Sequence, residues 1–219
     1  MDEIRVLLAD DHRGFADAVA MRLQAEPGLT LVGVTGSGTA TEARLSFAEV
    51  DVLVMDVELG AFDGLAVVRR VVAAHPRLHV VLLTERNDPE IAAEAFRLGA
   101  RGFLTKDVAS QELVAAIRGA IRGETWVSRR LLTSVIRLLV TAPSPGREES
   151  FGNLTKRERE VLECMVAGMN RAAIAEALFV STNTVRTHTQ RLLGKLGVHS
   201  SIEAVAAARR AGLTARRSS

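Results

Sequence analysis

Five short apolar runs, alternating with longer stretches of helical spacing, constrain the front of this chain more than any other feature. The runs are Ile4–Ala9, Leu31–Val34, Val52–Met55, Val80–Leu83 and Gly102–Leu104. Most are rich in Val, Ile or Leu, which suits strands buried on both faces. Between them, Phe15, Val19 and Leu23 share one helical stripe over 13–25. Leu65, Val68 and Val72 share another over 64–74, and Ile91, Ala95 and Leu98 a third over 89–98. A fourth, over 110–122, carries Leu113, Ile117 and Ile121. This alternation predicts an α/β domain over 1–123: a doubly wound, five-stranded parallel sheet with helices on both faces. Crossovers should be right-handed. Function in such sheets gathers at the carboxyl ends of the strands.

Beyond Gly123 the pattern changes. Residues 128–140 (SRRLLTSVIRLLV) read as an amphipathic helix, and 141–153 (TAPSPGREESFGN) as a flexible linker, so 124–153 joins two domains. From 154 to 219 the chain is helical in pattern. Thr155 and Glu158 have capping-box spacing, and Gly168 closes the helix they open. Shorter and longer helices are predicted over 170–177, 181–195 and 201–210.

Charge divides the chain in the same way. Residues 1–123 hold 18 acidic and 13 basic side chains, whereas 151–219 hold 5 and 11. An acidic front and a basic back imply different partners, and a basic domain of this size points to nucleic acid. Apolar residues make up 47% of the 219 and charged ones 25%, the balance of a globular protein. No apolar run approaches the roughly 20 residues that span a bilayer. The opening MDEIRVLLADDHRG carries early acids and does not read as a signal peptide, so no membrane association and a cytoplasmic location are expected. Cys164 is the only cysteine, which excludes an intramolecular disulfide and suits a small apolar filler.

Polar residues follow the predicted strands in an ordered way. Asp10 and Asp11 follow the first, Asp56 the third, Thr84 the fourth and Lys106 the fifth. Singly, each suits a turn, a cap or a solvated surface. Together they place three carboxylates, a hydroxyl and an ammonium on one sheet edge. Carboxylates held so close repel unless a cation lies between them. An all-oxygen set suits Mg²⁺, and the lysine and hydroxyl complete a phosphoryl site. In the basic half, a short helix, a tight turn at Phe179–Val180 and a longer helix from Ser181 form a helix-turn-helix. Asn183, Arg186, Thr187 and Gln190 share an outward stripe suited to base edges. Ser181, Thr182, Thr184, Arg191 and Lys195 suit phosphates. His188 fits a packing role, and no metal constellation accompanies the remaining histidines.

ADDH, VMD, Asp63–Gly64, LLT and GARGFLTK resemble the receiver domain of two-component response regulators over about residues 3–123. The resemblance implies a flavodoxin-like sheet of order 2-1-3-4-5. It implies Asp56 as phosphoacceptor from a sensor histidine kinase, with Thr84 and Lys106 on the phosphoryl group. It also implies Mg²⁺ on Asp10, Asp11, Asp56 and the Glu58 carbonyl, and Phe103 as an aromatic switch that swings inward with Thr84. As a strand aromatic, Phe103 equally suits a half-buried structural place. LTKREREVL and IAEALFVSTNTVRTHTQRLLGKLGV are similar to the LuxR-type DNA-binding domain over about 152–213. That implies a recognition helix at about 181–195 and a homodimer on double-stranded DNA when active. Four positions depart from these patterns. Leu59 and Gly60 stand where the family has Met-Pro, Glu85 where it has a small residue, and Ala173 where it has Glu. The reading is a transcription regulator and not an enzyme. The alternatives are an aspartyl-phosphate enzyme, or a constitutive DNA-binding protein whose receiver is only a dimerisation scaffold.

Overall fold

The computed structural model describes residues 3–59, 62–107, 110–141 and 150–213. The front half runs β1 (Ile4–Ala9), α1 (Arg13–Gln24), β2 (Leu29–Thr35), α2 (Gly38–Phe47) and β3 (Val52–Asp56). A two-residue ladder, β4 (Glu58–Leu59) with β5 (Phe62–Asp63), leads into α3 (Gly64–Ala74). Then follow β6 (His79–Thr84), α4 (Pro89–Arg97), β7 (Gly102–Thr105), α5 (Ser110–Ile121) and β8 (Trp126–Val127). All pairings in the main sheet are parallel, in the order β2-β1-β3-β6-β7-β8. The five long strands thus have the expected order. The additional β8 is too short to leave a periodic signal.

β3 is buried along its whole length, as its VLVMD run requires. Each fully buried Val or Leu there contributes about 1.5–3 kcal/mol. Two apolar layers cover the sheet. One packs Leu7, Leu53 and Leu82 against α3 and α4; the other packs Val6, Val54 and Leu83 against α1 and α5. Helix α2 was not singled out by the sequence pattern, because its buried face is only Gly38, Thr41 and Leu45. Ser37 starts it by accepting the Ala40 N–H. Gly64 is fixed by space: a Cβ there would lie 2.2 Å from the Val57 carbonyl oxygen. That close approach brings α3 against the strand end that carries Asp56.

The back half comprises α6 (Arg129–Thr141), a 3-10 turn (Ser150–Asn153), α7 (Lys156–Val166), α8 (Arg171–Ala177), α9 (Thr182–Leu196) and α10 (Ser201–Arg210). Most of the linker predicted over 141–153, residues 142–149, lies outside the described residues, as does Gly60. Thr155 and Glu158 close a capping box at the start of α7. Cys164 fills a core shared with Val161, Leu192 and Leu196. Helix α6 packs on α4 and on α10, and Leu131, Val135 and Leu139 join Ile202 and Ala206 in one apolar cluster with the sheet. The Arg97 guanidinium donates to the Leu138 carbonyl at 3.2 Å, and Arg210 donates to that of Leu139. The two halves are therefore docked through α6.

Candidate phosphoacceptor pocket and nucleic-acid interface

The strand ends converge as their sequence order demands. Asp10 is 2% exposed, Asp56 4% and Thr84 1%. The Lys106 ammonium lies 2.6 Å from Asp56 Oδ2 and 2.8 Å from Asp10 Oδ2. It also lies 4.7 Å from the centre of the Phe15 ring, a cation–π contact. The second oxygen of each acid is held by backbone: His12 N–H donates to Asp10 Oδ1 and Glu58 N–H to Asp56 Oδ1, both at 2.9 Å. Asp11 is exposed, yet it, Asp10 and Asp56 each offer a carboxylate oxygen within 4.8 Å of the others. Burial pushes the Asp56 carboxyl above its usual range, against the pull of Lys106 and the Glu58 amide. Burial also opposes the Lys106 charge, but its bonds to Asp10 and Asp56 win, and its pKa is raised. One ammonium therefore pairs with two acids while a third stands beside them, and the pocket retains excess negative charge.

Thr84 Oγ1 accepts the Arg86 N–H at 3.0 Å. Glu85 is exposed, and Arg86 stands 3.8 Å from Glu58. Phe103 is fully buried among α4 and α6 residues. This corrects the half-buried place its strand position allowed.

In the back half, α8 and α9 meet at Phe179–Val180, and Ser181 caps α9 by accepting the Thr184 N–H at 3.0 Å. Ser181, Thr182, Asn183, Gln190 and Arg191 are exposed, whereas Thr184, Arg186 and Thr187 are half-buried. Val185, Leu192, Leu193 and Leu196 form the inward face. The outward stripe of α9 is thus free of apolar residues and rich in hydrogen-bonding groups.

Residues 6–118 match the model of the response regulator receiver domain, and 152–208 match that of the bacterial regulatory proteins of the luxR family. The chain belongs to the LuxR-type response regulators. It is 35% identical over 216 residues to the uncharacterized transcriptional regulatory protein YxjL of Bacillus subtilis, covering 97% of this chain and 98% of that one. The oxygen regulatory protein NreC of Staphylococcus aureus is 30% identical over 206 residues, 92% and 95% of the two chains. Among solved structures, the RcsB response regulator of Salmonella typhimurium aligns with a TM-score of 0.56 at 25% identity, over 94% and 97%. The response regulator ChrA of a heme-sensing two-component system aligns at 0.51 and 27%, over 97% and 100%. These relatives are regulators, not enzymes, and this response regulator is a DNA-binding protein of the same kind. Among the described residues no helix is long and apolar enough to cross a membrane.

One DNA-contact assignment needs correction. Lys195 lies 2.7 Å from Glu158 and 3.2 Å from the Asn153 carbonyl. Its ammonium, though part-exposed, is already paired within the domain, which counts against a phosphate role. Sequence spacing gave no hint of this, because the partners are 37 residues apart. The receiver also reaches α9. His79, half-buried at the start of β6, has its pKa lowered to about 4 by burial first, then by Arg101 and Arg186. Arg186 therefore lies within electrostatic reach of the receiver.

Proposed function

We propose that Asp56 accepts a phosphoryl group from a phosphohistidine of a sensor histidine kinase, and that this controls dimerisation and DNA binding. One observation carries the reading: a nearly buried carboxylate at 2.6 Å from a lysine, flanked by two further acids. In the transfer, an Asp56 oxygen attacks phosphorus, the N–P bond breaks, and the imidazole leaves with the bond's electron pair. Lys106 balances charge on the phosphoryl oxygens, and Thr84 turns its hydroxyl from Arg86 towards them. The all-carboxylate donor set of Asp10, Asp11 and Asp56, with the Glu58 carbonyl, fits Mg²⁺. That ion would supply charge compensation when bound.

On the DNA side, Arg186, Asn183, Thr187 and Gln190 would read base edges. Ser181, Thr182, Thr184 and Arg191 would hold phosphates. The docked α6 supports control by release. Phe103, α4 and α6 belong to one apolar cluster, so a change at Thr84 reaches the helix that holds α10. Released domains would pair as a homodimer on half-sites about 34 Å apart. The test is mass spectrometry after incubation with acetyl phosphate and Mg²⁺. The native chain should gain one phosphate and Asp56→Asn none; retained labelling in the variant would sink the assignment. A second reading, a constitutive binder with a scaffold receiver, draws support from Glu85 and from Leu59-Gly60 in place of Met-Pro beside the pocket. Under that reading, phosphodonor changes neither DNA affinity nor oligomeric state.

A further inference from the structure

Six described helices end with the same pair of backbone hydrogen bonds. At α4, Gly99 N–H donates to Phe96 and Ala100 N–H to Ala95; at α8, Phe179 N–H donates to Glu176 and Val180 N–H to Ala175. The ends of α5, α7, α9 and α10 repeat it around Gly123, Gly168, Gly197 and Gly212. This is the Schellman motif, whose pivotal residue must be left-handed and is normally Gly or Asn. Five of these pivots are glycine, with φ between 62° and 105°. The sixth is Phe179, with φ 54°, the one non-glycine residue of positive φ among the described residues. A bulky side chain in that region is a true outlier. Its ring does not compensate by packing, because Phe179 is 95% exposed, more than any other large apolar residue described.

Neither backbone preference nor burial accounts for phenylalanine here, so the position points outward to a partner. Phe179 sits two residues before Ser181, the cap of α9, in the turn that joins the two helices. In a docked helix-turn-helix the first helix crosses the DNA backbone and the start of the second enters the major groove. The turn between them therefore lies against the groove wall. We propose that Phe179 is a DNA-contacting residue, packing its ring on the apolar part of the duplex, deoxyribose or a thymine methyl, beside the start of α9. The proposal rests on the reading of α9 as the recognition helix. An apolar contact suits this place because Ser181, Thr182 and Asn183 already supply polar groups next to it. It would add affinity without adding charge.

The experiment uses the full chain with acetyl phosphate and Mg²⁺, and a duplex that the native chain selects from a randomised library. Phe179→Asn should bind that duplex about tenfold more weakly. Its salt dependence should stay parallel to the native one, because no phosphate contact is lost. Asn suits the left-handed pivot, so the same variant should melt about 2 °C higher. Phe179→Tyr should keep native affinity. Replacing thymine by uracil in the duplex separates the two apolar partners: loss for the native chain alone assigns a methyl, and no loss assigns deoxyribose. Unchanged affinity in Phe179→Asn, while Arg186→Ala weakens binding, overturns the proposal, leaves the recognition helix in place and assigns the ring to a protein partner. Weaker binding accompanied by a lower melting temperature also overturns it, since the ring would then serve the fold. If the native chain selects no duplex, the DNA-binding reading itself falls.

Discussion

Two carboxylate–lysine pairs, each with a buried acid, serve this response regulator in opposite ways. Asp56 and Lys106 lie 2.6 Å apart, Glu158 and Lys195 2.7 Å. In the second pair the charges match one to one. Glu158 Oε2 accepts the Thr155 N–H at 2.8 Å as well as the Lys195 ammonium. Burial opposes its charge, but the lysine and the helix-start donors hold its pKa down at about 2. In the first pair Lys106 is shared with Asp10, and Asp11 stands beside them. Burial there dominates and raises the Asp56 pKa. A matched pair is complete and serves the fold, whereas a surplus of carboxylates leaves room for an incoming cation or phosphoryl group.

Removing one member of each pair gives the largest effects. Lys106→Ala leaves two buried acids without a cation and should cost about 3 kcal/mol at neutral pH, measured by urea unfolding. Mg²⁺ should restore much of that loss, and more in the variant than in the native chain. An equal Mg²⁺ effect in both would mean that the acids do not form a common cation site. Glu158→Ala removes a cap and one partner of a part-exposed ion pair, so a smaller loss of about 2 kcal/mol is expected. Added Mg²⁺ should leave that loss unchanged.

The acid limb sharpens the same contrast. The folded pKa of Glu158, about 2, lies below its ordinary 4.5, so the unfolded chain takes up its proton first. This stabilisation is fully present above about pH 4.5 and disappears as pH falls towards 2. Melting curves between those limits should show a shallower loss in Glu158→Gln than in the native chain. The smallest effect is expected at Glu85. Its exposed carboxylate repels an anionic donor only through solvent, so Glu85→Ala should speed phosphate labelling by about twofold. A tenfold gain would place the carboxylate at the pocket mouth.

The strand-end acids, Thr84 and Lys106 were legible because a parallel sheet puts every strand's carboxyl end on one edge. Counting runs was enough to bring residues nearly 100 positions apart together. Helix α2 escaped because a face of Gly, Thr and one Leu leaves little periodic signal. Strand β8 escaped because two residues have no period. Phe103 illustrates a different gap. Its place on β7 follows from the run GFLT, but its depth depends on α4 and α6, which cover it from elsewhere in the chain.

The sequence by itself determined most of the elements and which polar groups share the strand-end edge, while the sheet order came from the resemblance to receiver domains. The elements and that edge follow from local periodicity, from caps such as Thr155 and Ser181, and from the short reach between neighbouring strand ends. Tertiary structure alone decided which charges are free. Lys195 reads as a phosphate ligand from its helix position, yet Glu158 neutralises it from another helix. Arg186 reads as exposed, yet docking through α6 brings it within reach of His79. The exposure of Phe179, too, is known only once the domain is assembled. Burial and ion pairing depend on what arrives from distant sequence, and no local pattern encodes that.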